Sequence, residues 1–76
     1  MSEKYYERVR AIKLNIGFYR KKCGLTQEKL AEKLNISRTH LGNIEAPNMN
    51  VGITLDLLFD IADALNIEIV KLFEIK

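Results

Sequence analysis

The chain has 76 residues, 47% of them apolar, with one proline and one cysteine, which suits one small domain with a single core and excludes a disordered chain. Its formal charge of +2 is divided unevenly: residues 1–45 hold ten Lys/Arg and five Asp/Glu, whereas residues 46–76 hold two and five. A domain polarised this way turns a basic end toward phosphates. No apolar run reaches the length of a membrane span, and Met1-Ser2-Glu3-Lys4 opens without a signal-peptide apolar core, so a cytoplasmic protein is expected. Cys23 has no partner for an intramolecular disulfide. One His and one Cys cannot build a metal site or a Cys-His nucleophile, and no Gly-rich phosphate loop is present. The inventory therefore excludes an enzyme and leaves no cofactor, metal or small-molecule ligand to expect.

Residues 3 to about 23 read as the first helix. Tyr5, Val9, Ile12, Ile16, Tyr19 and Cys23 recur at spacings of four and three, a single apolar stripe. Gly24 is the expected C-cap. Gly17 sits mid-helix, where it costs about 1 kcal/mol against alanine. Leu14 and Phe18 lie off the stripe and form either a second buried edge, the reading we favour, or an exposed patch for a partner.

Thr26 is placed to cap a second helix whose first turn carries Glu28 and whose apolar face is Leu30, Ala31 and Leu34. Asn35 tolerates the left-handed conformation a tight turn needs. Ile36 plugs the gap, Ser37 caps a third helix, and Leu41 and Ile44 turn that helix's apolar side inward. Arg38, Thr39, His40 and Asn43 are left facing outward, a hydrogen-bonding face without a carboxylate.

Gly24-Leu25-Thr26-Gln27-Glu28-Lys29-Leu30-Ala31, followed by Ile36-Ser37-Arg38 and Ile44-Glu45, resembles the Cro/C1-type (XRE-family) helix-turn-helix of phage repressors and bacterial regulators. The resemblance covers roughly residues 12–73, with the helix-turn-helix proper at 26–45 inside one domain of 1–76. It implies an all-α, five-helix, lambda-repressor-like fold and sequence-specific binding of double-stranded DNA, with residues 37–45 in the major groove. By the same resemblance Arg38, Thr39 and Asn43 reach base edges, where Arg pairs with guanine, Asn with adenine, and the Thr methyl meets the thymine methyl. Gln27 bonds a phosphate and braces the reading helix, and Ser37 and His40 contact phosphate or nothing. Lys21 and Lys22 are either phosphate neighbours or solubilising charges. Arg20 and Glu45 match a structural ion pair tying the first helix to the third.

The loop Ala46-Pro47-Asn48-Met49-Asn50-Val51-Gly52-Ile53 departs from the family pattern. It has an early proline, about two extra residues and no Lys or Arg, so the family's usual phosphate contacts from this loop are not expected here, and backbone N–H groups and Asn48 or Asn50 could substitute as neutral donors. Thr54 caps the fourth helix, with Leu55, Leu58, Ala62 and Leu65 as its core stripe and Leu57, Phe59, Ile61 and Ala64 widening it. Asp56, Asp60 and Asp63 form a narrow acidic face, and Asn66 ends the helix. The fifth segment runs from Glu68 to about Glu74; local propensity of Ile67-Glu68-Ile69-Val70 favours a strand and the resemblance a helix, which we follow.

This C-terminal half carries more apolar surface than one small core needs. Leu57, Phe59, Ile61, Ile69, Leu72 and Phe73 are therefore assigned to a homodimer interface within residues 53–76, with the N-terminal extension of the first helix as second candidate. The expected protein is a stand-alone regulator that binds an inverted repeat as a homodimer. The alternative is an antitoxin or protein-interaction module whose apolar C-terminal helices bind a partner protein. RNA is disfavoured because no aromatic platform accompanies the basic face.

Overall fold

The computed structural model of the protein describes residues 3–74. The expected domain 1–76 and interface 53–76 are seen only within that span; Met1, Ser2, Ile75 and Lys76 lie outside the described residues. A 3₁₀ turn at Glu3–Tyr5 leads into helix α1, Tyr6–Lys22. Then follow α2, Gln27–Leu34, α3, Arg38–Glu45, and α4, Leu55–Leu65, and a terminal 3₁₀ helix at Ile69–Phe73. No strand occurs among the described residues, and none of their helices is long and apolar enough to cross a membrane.

Three helices begin where a hydroxyl can take an orphan amide. Thr26 Oγ1 accepts from Lys29 N at 3.1 Å, Ser37 Oγ from His40 N at 3.0 Å and Thr54 Oγ1 from Leu57 N at 3.1 Å. Three helices also end alike, on a residue with positive φ: Gly24 at 75°, Asn35 at 58° and Asn66 at 55°. At each, the left-handed residue and its successor donate back to the last turn: Gly24 N to Lys21 O and Leu25 N to Arg20 O, with matching pairs at Asn35–Ile36 and Asn66–Ile67.

Ile16, Tyr19, Leu30, Ala31, Leu41, Ile44, Leu58, Ile61, Ala62, Leu65 and Leu72 close one core to which every α-helix contributes. The phase of α4 differs from the expected one. Leu55 is 59% exposed, while Ile61 joins Leu58, Ala62 and Leu65 inside. Ile61 and Leu72 are each fully buried within the protomer, which removes both from the assigned dimer interface. A helix apolar around most of its circumference leaves its own phase open, and packing against α2 and the terminal 3₁₀ helix decides it. Leu14 and Phe18 are exposed rather than a second buried edge, and Tyr5 and Cys23 at the ends of the α1 stripe are exposed too.

The expected fifth helix is a five-residue 3₁₀ helix. Its start lacks a side-chain cap at Glu68, and its β-branched Ile69 and Val70 have weak helical preference. Tertiary bonds hold it instead: Asn15 Nδ2 donates to Leu72 O at 3.0 Å and Glu74 O at 2.6 Å, and the Tyr19 hydroxyl donates to Glu74 Oε1 at 2.9 Å.

Candidate nucleic-acid interface

The turn at Asn35 presents α3 with Leu41 and Ile44 fully buried and Arg38, Thr39 and His40 exposed. Asn43, one turn after Thr39, is half-buried. Ser37 is exposed; its oxygen is taken up by the helix cap, so only its hydroxyl hydrogen is left for a phosphate. Arg38 shares a shallow groove with Arg20, Thr26, Gln27, Glu28 and Lys29, where the start of α2 meets the start of α3. The groove's lining sets Arg38, Lys29 and the positive end of α2 beside the Glu28 carboxylate, while Arg20 is engaged by Glu45.

Behind this face α3 is fastened by charge. Arg20 Nε donates to Glu45 Oε2 at 2.8 Å and Nη2 to Glu45 Oε1 at 3.1 Å, while Nη1 donates to Leu25 O at 2.7 Å. The pair is nearly sealed, with side-chain exposures of 9% and 8%. Gln27 Nε2 donates to the same Glu45 Oε1 at 3.2 Å, so the amide braces α3 with one of its two N–H groups. Gly42 is not required by the protein's own packing, since an added Cβ would meet Gln27 Oε1 at an ordinary 3.8 Å. Gly17 is tighter: a Cβ there would stand 3.3 Å from Glu45 Oε1, which explains a mid-helix glycine.

The two terminal lysines of α1 diverge. Lys21 is exposed. Lys22 lies over the Phe18 and Tyr19 rings at 6.0 and 5.9 Å, beside the junction of α4 and the terminal 3₁₀ helix, on the Tyr19 side of α1 rather than the Arg20 side. That position carries its ammonium away from the α2–α3 face. Asn48 and Asn50 are exposed in the loop after α3, as neutral donors there would need to be.

Sequence reasoning missed Lys13. Its side chain is fully buried, and Nζ donates to Asn43 O and Ile44 O, each at 3.1 Å. Burial pushes its pKa below the ordinary lysine value. A lysine in a helix reads as a solvated charge, so the pattern of α1 alone conceals it. No group of three or more His, Cys, Asp or Glu among the described residues could hold a metal ion.

Two helices joined through a left-handed asparagine, the second with a polar outer face and a buried charge pair at its back, define a helix-turn-helix DNA-binding domain. The chain belongs to the Cro/C1-type (XRE) helix-turn-helix family, whose family model, described as helix-turn-helix, matches residues 16–72. It is 41% identical over 58 residues, 76% of this chain and 67% of the relative, to Control protein C.SmaI of Serratia marcescens. It is similar in structure to a hypothetical transcription factor, NHTF, from Neisseria, with TM-score 0.76 and 27% identity over 91% of this chain and 78% of the other. The protein is thus a DNA-binding transcriptional regulator of a family that is not enzymatic.

Proposed function

We propose that the protein acts in the cytoplasm as a homodimer on an inverted repeat in duplex DNA, with residues 37–45 of each protomer in the major groove. The observation that carries this reading is the polar outer face of α3, held rigidly by the Arg20–Glu45–Gln27 cluster. Arg38, Thr39 and Asn43 read base edges. Gln27, Ser37, His40 and Lys21 hold phosphates, and Lys22 drops out of that set because of its place over the rings. The dimer surface is drawn from Leu55 and Phe59, one turn apart on α4, and Val70 and Phe73 on the terminal 3₁₀ helix, all exposed. Leu57 and Ile69 flank it, half-buried against the core. The resemblance implies three roles for small chains of this type: phage repressor, restriction–modification controller and antitoxin. The similar relative is named a control protein, and the controller is the role we favour.

Selection of bound sequences from random duplexes tests the reading. It is expected to return a two-fold symmetric site, with half-sites about one duplex turn apart. On that operator Asn43→Ala should cost about 1–3 kcal/mol and relax preference at one base pair per half-site. Gln27→Ala should weaken all sequences alike, because phosphate contacts position without reading. Uniform losses for both variants across a panel of duplexes would refute the division of roles. Purification with a tightly held second protein, and weak DNA binding without it, would favour the partner-binding module instead.

A further inference from the structure

α3 ends differently from the other three helices. They close on Gly24, Asn35 or Asn66 in a left-handed conformation, and two backbone N–H groups return to their last carbonyls. α3 is followed by Ala46 and Pro47. Proline has no N–H to return, and it drives the residue before it to extended backbone. Ala46 accordingly lies at φ −73° and ψ 114°, and its N–H reaches only Gly42 O, at 3.0 Å. Its final turn also carries no basic residue to offset the negative end of the helix. The carbonyls of Asn43 and Ile44 would face the interior without a backbone donor, and both accept from the buried Lys13 ammonium instead.

We propose that Lys13 is a specificity-positioning residue: supplied from α1, its ammonium caps the recognition helix in place of the backbone cap that Pro47 forbids, and so sets the pose from which α3 reads bases. One of its two acceptors is the carbonyl of Asn43, a residue assigned to base contact. Gly17, one turn along α1 from Lys13, lacks the Cβ that would press on Glu45, so the same face of α1 holds both ends of the brace close to α3. Lys13 is sealed from solvent, which leaves it no surface to offer DNA, so its effect on binding runs through helix placement. The inference rests on the reading of α3 as the base-reading helix.

The test is a double-mutant cycle on the full chain, read as the ratio of affinities for the selected operator and a scrambled duplex. Lys13→Met keeps the length and apolar stem but removes the donor. Its operator affinity should fall by about tenfold relative to the scrambled duplex, roughly the loss of one good base contact per dimer, or half of one in each protomer's reading. Affinity for the scrambled duplex should stay within about twofold, because no phosphate contact is lost. Pro47→Gly restores an N–H and a residue tolerant of left-handed backbone at the place Gly24 holds after α1, two residues past the last helical one. In the Lys13→Met background it should recover discrimination; in the wild-type background it should change little. A lysine that only fills volume would not be rescued by a backbone N–H in a distant loop, so equal effects of Pro47→Gly in both backgrounds overturn the proposal. An unchanged ratio for folded Lys13→Met overturns it as well. Should Lys13→Met not fold alone, the comparison is made between Lys13→Met/Pro47→Gly and Pro47→Gly, and failure of the double variant to fold also counts against the rescue and overturns it. A wild-type protein that does not distinguish operator from scrambled duplex instead refutes the base-reading role of α3 itself.

Discussion

Arg20→Ala and Glu45→Ala are each expected to destabilise the protein by about 3–5 kcal/mol, the cost of stranding one charge of a buried pair. A core of this size supplies little more than about 3–5 kcal/mol in all, so either variant should be largely unfolded at room temperature. The two losses are not equivalent in detail. Removing Arg20 strands a carboxylate with only Gln27 Nε2 as a donor and also frees Leu25 O; removing Glu45 leaves the guanidinium its bond to Leu25 O. Urea titrations in a stabilising osmolyte would bring the single variants into a measurable range. The double variant should then be clearly less destabilised than the sum of the singles. Strict additivity would mean that the 2.8 Å contact contributes no coupling in solution.

Phe73→Asp is expected to convert the proposed dimer into monomers and to lower operator affinity by about a hundredfold or more, because each α3 would then bind without its tethered twin. The protomer itself should survive the change. Phe73 is 47% exposed, whereas its neighbour Leu72 is the fully buried anchor of the terminal 3₁₀ helix. Far-ultraviolet circular dichroism and the melting temperature should therefore move little, while sedimentation reports a halved mass. Phe59→Asp, on the exposed side of α4, is the companion variant and should act in the same direction. A wild-type protein that sediments as a monomer at high micromolar concentration, yet binds its operator tightly one-to-one, would remove the dimer from the mechanism.

The helix-turn-helix was legible because its signals are local. Thr26, Ser37 and Thr54 each bond an amide three residues on, and Asn35 and Asn66 turn the chain through their own φ. The alternation of buried Leu41 and Ile44 with exposed Arg38, Thr39 and His40 is likewise a property of one short helix. Where spacing is under-determined, the sequence was silent or misleading. Leu55 and Ile61 exchanged places because α4 has apolar residues at nearly every angle. The last segment had strand-like local preference and became a 3₁₀ helix, because Leu72 is drawn into the core and Asn15 holds its carbonyls.

The amino-acid sequence by itself thus determined where three of the four α-helices start, where three of them end, and which side of α3 faces outward, since caps and periodicity act over three or four residues. It also placed a proline, which has no N–H to return, two residues past Glu45. Only the tertiary structure decided what caps α3 instead. The Lys13 ammonium reaches Asn43 and Ile44, thirty and thirty-one residues away along the chain. A bond of that span exists only once α1 and α3 are packed together, and no local pattern records it.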